Sequence, residues 1–433
     1  MTERFDFAQK YRNIVYGLIG VGLLLLIVGA FFVGSPGSDD AHSALGTQAD
    51  IHAVADTDDG DHGHGLRHIT GFTRVAANFL LANIYFFTIV MGALFFLAVH
   101  RVGNAGWHTA IRRIPEAITM YLPVAALGCV VVMFMLPVLY DWASPAAVND
   151  ALIQTKSAYL NQGFFIVRNV LFFVLWGGAA WWLRQLSLKQ DLEGGLSHFK
   201  KSEAISAVFI IVFALSYTFW SVDWIQSLEP HWFSTIYGVY IFAGSMVSAM
   251  VTMFLLAIFL QRQGYMAYVN DSHIHDLGKY AFGFTVFWGY IFVAQYLLIW
   301  YSNIPEEGFW YVHRYRVHDE TYKGYAFLFY FNIIVNFAIP FLVLMTRNAK
   351  RNPKVLIPVG ILMLFGHWVD LFQLIMPGAI YNFQGIGLVE LGAMMLFAGI
   401  FLSVVLTSLS KANLVPINHP YLEESLHHST GPV

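Results

Sequence analysis

The sequence predicts an all-α integral membrane protein with about ten transmembrane helices, and three observations carry that prediction. Only 12% of the 433 residues are charged and 57% are hydrophobic, where a soluble domain carries roughly 25% charged residues. The chain contains ten mostly apolar runs of about 20 residues or more, the length that crosses ~30 Å of hydrocarbon at 1.5 Å per residue. Lysine and arginine are also distributed unevenly between the two sets of connections.

The runs are 13–33, 75–100, 115–139, 164–186, 203–222, 232–261, 279–301, 324–346, 354–375 and 384–409. Lipid offers no partner for backbone N–H and C=O groups, so each run has to be a helix. The first is longer than the ~7–15-residue core of a cleaved signal peptide and is expected to be retained. The run 232–261 is long enough to tilt. No span is expected to be broken at mid-depth. With the N-terminus inside, sixteen of the 24 Lys and Arg residues fall in inner segments and six in outer ones; Arg168 and Arg184 lie within spans. That asymmetry puts both termini in the cytoplasm. The connection 34–74 reads as a flexible external loop, and 410–433 as a short cytoplasmic tail.

Several classes of chemistry are excluded or disfavoured. One cysteine, Cys129, cannot build a disulfide framework, a zinc site or an iron–sulfur cluster, and no CxxCH signature for covalent haem occurs. The net charge of -3, without a basic tail, gives no footprint for nucleic acid. Of the histidines only His367 lies deep in a span, with His100 and His231 at span ends, so a multi-haem cytochrome b is disfavoured. The loop histidines His42, His52, His62, His64 and His68 have metal-ligand chemistry. Their flexible, glycine-containing surroundings favour a solvated loop instead.

Ionisable residues at membrane depth are costly and mark function by default. The run Gly366-His-Trp-Val-Asp-Leu-Phe-Gln373 places His367, Asp370 and Gln373 on one helix face. Counted from Lys354, His367 lies ~20 Å and Asp370 ~24 Å in, which puts both in the outer half. Glu390 lies about 9 Å deep from the outside and Arg168 one turn in. Asp223 closes the fifth span, and Glu229 and His231 open the sixth. These seven residues read either as helix-pinning salt bridges or as a proton path or quinone-head site. On the inner side, Glu116 after Pro115 and Glu203 after Ser202 match helix capping. Asn78, Tyr85, Thr88 and Gly92, and Asn332 with Asn336, fit interhelical hydrogen bonding and packing. Tyr237, Tyr240, Ser245 and Ser248 extend a proton path inward or serve packing.

Two segments carry a family resemblance: Ser221 to Ser245, SVDWIQSLEPHWFSTIYGVYIFAGS, and Tyr301 to Glu307, YSNIPEE. They resemble the NrfD-like (polysulfide-reductase-type) membrane subunits of bacterial alternative complex III, a quinol:cytochrome c oxidoreductase. The closer likeness is to the second of its two such subunits. The resemblance implies two four-helix bundles related as an inverted repeat, here 75–222 and 232–375, with one flanking helix on either side. It implies a non-redox subunit in the cytoplasmic membrane, with a second NrfD-like subunit, an iron–sulfur protein and multihaem cytochromes c as partners beside lipids. Haem c and iron–sulfur clusters would then sit on the partners, with quinone as the one cofactor near this chain. The quinol-binding paralogue carries a motif like PGWHSTIFPPYF. Here the stretch is Pro230-His-Trp-Phe-Ser-Thr-Ile-Tyr-Gly238, with the histidine moved and the double proline missing. That departure disfavours quinol oxidation in this subunit and favours a supporting or proton-handling role. His367 and Asp370 would be the coupled pair, and Arg168 the counter-charge. A quinone site within this subunit, a secondary transporter and a purely structural anchor are the alternatives.

Overall fold

The structure, a computed structural model, describes residues 3–33, 71–315, 323–380 and 385–431. The chain is an all-α integral membrane protein. Among the described residues ten helices are long and apolar enough to cross a membrane: Gln9–Phe32, Gly71–Val102, Arg113–Met133, Gln162–Glu193, Ser197–Leu228, Tyr237–Arg262, Asp271–Ser302, Gly324–Leu344, Pro353–Ile380 and Leu388–Ser410. No strand occurs among them; a single bridge joins Arg4 to Asn413. The expected histidine-rich loop lies outside the described residues.

Burial orders the helices. The apolar window of the second span is 94% buried and that of the sixth 83%, against 17% for the first. The second and sixth spans therefore form the centre, packed on each other. Spans three, four and five gather around the second, and spans seven, eight and nine around the sixth. The first span lies against the tenth. Hydrophobic driving force is absent between helices in lipid, so close approach depends on small residues. A Cβ on Gly92 would collide with the Ser245 carbonyl, and one on Gly392 would meet the Leu26 amide nitrogen at 2.5 Å.

Prolines explain where helices break. A proline lacks the N–H that bonds the carbonyl four residues back, and its ring crowds that carbonyl. Pro123 acts on Thr119, where the helix Arg113–Thr119 ends; Pro137 acts on Met133, where Leu122–Met133 ends. Pro340 acts on Asn336, inside a π-helical segment at Ile334–Ala338. The expectation of unbroken spans is thus corrected for the third and eighth. The ninth helix tolerates Pro358 and Pro377 and runs to Ile380, five residues past its expected end.

Both termini lie at one end of the bundle, where the Leu414 amide donates to the Glu3 carbonyl at 2.8 Å. The segment after Lys411 is packed rather than free: Leu414 and Ser425 are fully buried. Ser425 Oγ accepts from the Ala110 amide and donates to the Trp107 carbonyl.

Candidate functional site

The seven ionisable residues separate into two groups at different depths. Because the ninth helix continues to Ile380, Asp370 lies ten residues and His367 thirteen from its far end, about 15 and 20 Å. His367 is therefore at mid-membrane, deeper than the sequence count placed it. The other five lie toward the end opposite the termini.

That far end carries three separate ion pairs. Arg168 Nε and Nη2 donate to Asp223 at 2.8 and 2.7 Å, a bidentate fork, and Asn169 and Tyr159 add bonds of 3.0 and 2.9 Å. Arg74 donates Nε and Nη2 to Glu390 at 2.8 Å each, with Asn78 on the same carboxylate. Arg314, on the helix Pro305–Tyr315, donates to Glu229 at 2.5 Å and to the Gln373 carbonyl at 3.0 Å. His231 Nε2 lies 2.8 Å from Asp150. So Arg168 neutralises Asp223 alone, while Arg74 and Arg314, counted at first as loop cations, serve Glu390 and Glu229. Sequence periodicity does not reveal these partners, because each pair joins segments far apart in the chain.

Asp370 differs from the rest. It is 5% exposed, and it is the one buried carboxyl among the described residues with no cationic side chain bonded to it. Its oxygens accept instead from three neutral donors: Tyr240 Oη at 2.5 Å, Asn332 Nδ2 at 2.8 Å and Trp288 Nε1 at 3.2 Å. Asn332 thus makes the interhelical bond anticipated for it, and Asn336 bonds back to Asn332. His367 makes no hydrogen bond to a described residue, Asp370 included. The two side chains share a narrow polar void instead, lined also by Thr88, Tyr240, Ser245 and Ser248, with room for about one water molecule. Ser245 Oγ is 2.6 Å from Tyr217 Oη.

A polar line therefore runs inward from the far end. It begins at a cleft formed by Asp141, Glu229, His231 and His313, again with room for about one water. Arg314 reaches inward to the Gln373 carbonyl. One helical turn further in, Asp370 opens a separate void that continues past His367 to Ser248, and no side-chain hydrogen bond among the described residues joins the two sections. Beyond Thr252 the sixth span turns apolar from Met253 to Leu260, about 12 Å of closed packing. The arrangement places two small polar sections, one at the far end and one at mid-membrane, in line along the ninth helix.

The terminal end holds a second polar centre that sequence reasoning missed. Glu116, expected to cap a helix, is 1% exposed and accepts from Arg113 at 2.7 Å and Arg184 at 3.2 Å, with Arg112 Nε 2.7 Å away. Arg113 also binds Asp191. Glu203 lies beyond the first turn of the helix Ser197–Trp224 and caps nothing. The signal in the sequence was Arg112-Arg113 a few residues before Glu116, three charges where the third helix starts. Nearby, Arg101 Nη1 donates to His419 Nε2 at 2.9 Å, so His419 is neutral.

Burial, with the surrounding arginines, pushes His419 down to about 2, and burial with His100 nearby pushes His108 down to about 3. Both folded values lie below the ordinary ~6.5. The unfolded chain therefore takes up these protons first, and stability present above pH 6.5 is lost as the pH falls below it. At pH 5 the loss is on the order of 2 kcal/mol per histidine. Apparent unfolding temperatures measured from pH 7.5 to 5 are expected to fall; since buried His100 and His273 share this loss, His419→Gln is expected to remove about a quarter of that slope. An unchanged slope in the variant would refute the assignment.

No protein-family model matches the chain, and no curated protein matches it.

Proposed function

We propose that the chain is a non-redox subunit of a quinol:electron acceptor oxidoreductase of the respiratory chain, seated in the bacterial cytoplasmic membrane with both termini in the cytoplasm. Its task in that complex is to conduct protons. The observation that carries the proton role is Asp370, a carboxyl at membrane depth bonded to three neutral donors and to no cation. A carboxyl so placed is not needed to neutralise a neighbouring charge, and such residues mark proton relays. The polar groups at Glu229, Arg314 and the Gln373 carbonyl on one side and the void at His367 and Ser248 on the other would connect it toward the far face. The assignment to a respiratory complex is supported by the likeness of Ser221–Ser245 and Tyr301–Glu307 to NrfD-like subunits of alternative complex III, and the orientation by the lysine and arginine asymmetry.

A quinone ring is too large for either polar void as they stand, which favours protons over quinone at this site. The broken third span and the π segment of the eighth are features that transporters also use. They keep a secondary transporter as the competing proposal.

The complex is tested by mild extraction from native membranes, isolation through a tag, and a haem spectrum with subunit identification. Co-purified c-type haem, an iron–sulfur protein and a second NrfD-like subunit are the expected result. A colourless protein recovered alone from well-extracted membranes would overturn the respiratory assignment and favour the transporter.

A further inference from the structure

The cationic centre at the terminal end is not balanced. Arg101, Arg112, Arg113 and Arg184 are each 5% exposed or less; Arg112, Arg113 and Arg184 face Glu116, Arg113 also meets Asp191, and Arg101 bonds neutral His419 instead. Four positive charges against two negative ones leave an excess of two in a low-dielectric place, and neutral His419 adds none. Glu193 and Glu424, further carboxylates at this end, are exposed at the surface, where water screens them.

Arg112 shows where the missing charge would go. Its Nε faces Glu116, and neither Nη group makes a hydrogen bond to a described residue, although the residue is 4% exposed. An anion in reach would give those donors charge-assisted acceptors. They line a cleft between the fourth and fifth spans, together with Arg101, Ser187, Gln190, His198 and His419. The donor set is cationic and rich in N–H and O–H groups, with no carboxylate in the cleft wall. Planar guanidinium forks of this kind match phosphate oxygens. The surroundings are those of a membrane interface. Where the helices Gln162–Glu193 and Ser197–Trp224 that supply Ser187, Gln190 and Ser202 to the cleft meet, Leu192 and Leu196 stand 84% and 56% exposed, and Lys189 and Lys201 are exposed on the same two helices. The cleft has no room for a water molecule as it stands, so a ligand enters only if lining side chains such as His198, held by Glu193 at 2.6 Å, move aside.

We propose that this cleft is a binding site for a phosphate group, presented either by the headgroup of an anionic phospholipid or as free phosphate. Its phosphoryl oxygens accept from the Arg112 Nη groups, and its charge balances the guanidinium cluster. Exposed Leu192 and Leu196 at the junction of the same two helices would meet the acyl chains of a lipid. Basic pockets between membrane helices bind anionic headgroups in this way.

The test uses the full chain in nanodiscs of phosphatidylcholine doped with phosphatidylglycerol, with retained lipid counted by native mass spectrometry. A parallel arm titrates inorganic phosphate and follows the unfolding temperature. Arg112→Gln leaves Glu116 with two arginines and is expected to weaken binding about tenfold. Ser202→Asp, which puts a carboxylate into the cleft as a tethered substitute anion, is expected to keep the fold and abolish binding. Selective retention of phosphatidylglycerol, lost in Ser202→Asp, assigns a lipid headgroup. Stabilisation by phosphate without lipid retention assigns the free ion. If Arg112→Gln does not fold, Ser202→Asp alone decides. Wild-type protein that prefers neither anion, or Ser202→Asp protein that retains phosphatidylglycerol as the wild type does, would overturn the site.

Discussion

Replacing Arg168 by Met is expected to lower stability by about 3–5 kcal/mol, because it leaves Asp223 as a buried carboxylate without a counter-charge. Asp223 has no exposure at all, and Arg168 meets it through two parallel bonds of 2.7 and 2.8 Å. The guanidinium is also stacked 4.0 Å from the centre of Tyr159 and 4.4 Å from that of Phe164, so its position is set from both faces. Asn169 and Tyr159 remain as donors to Asp223 after the substitution, but neutral donors do not replace a full charge in a dry environment. The double replacement Arg168→Met with Asp223→Leu removes both charges and is expected to recover most of the loss, since a buried pair exchanged for apolar side chains of similar volume is often neutral. Apparent unfolding free energies of the two single variants and the double variant, in one detergent, form the cycle that measures the coupling. An Arg168→Met protein within about 1 kcal/mol of wild type would show that the pair contributes little.

Asp370→Asn is expected to reduce proton-linked turnover of the assembled complex by about tenfold or more, the range that loss of a positioned proton-transfer group produces. The substitution keeps the shape of the side chain but removes the oxygen that carries a proton. Tyr240→Phe provides a milder comparison, since it deletes one of three donors and leaves the carboxyl in place. His367→Leu removes the ring that shares the void and is expected to act in the same direction as Asp370→Asn. Turnover and the accompanying pH change are measured together in sealed vesicles, after subunit composition has shown the complex to be intact. Unaltered turnover and unaltered pH change with Asp370→Asn in an intact complex would end the proton role. A structural role of Asp370 alone would lower the amount of complex and leave the turnover per complex unchanged, so the two are separable.

Which parts of this molecule were legible in one dimension follows from the range of the forces involved. The ten spans were readable because the cost of an unbonded backbone in lipid acts on every residue of a run, whatever it packs against. The membrane-depth positions of Asp223, Glu390 and Arg168 followed from the same count. Asn78 and Asn332 were legible as interhelical donors because a short amide in a span needs a partner on another helix, and they find Glu390 and Asp370; Asn336 instead bonds Asn332 within its own span.

Pairing was not legible. Arg74 with Glu390, Arg314 with Glu229 and Asn332 with Asp370 join residues 38 to 316 positions apart, and no local pattern encodes which cation reaches which carboxylate. A single cluster of seven was the simplest arrangement that depth allowed; packing resolved it into three neutralised pairs and one carboxyl left without a cation. Glu116 looked like a cap because its neighbours along the chain are a proline and a helix start, yet Arg184 reaches it from a helix about 70 positions away. By itself the sequence determined how many times the chain crosses and which residues pay a desolvation cost. Only the tertiary structure decided which of those residues are neutralised, because that depends on distances of about 3 Å between helices that the chain order does not set.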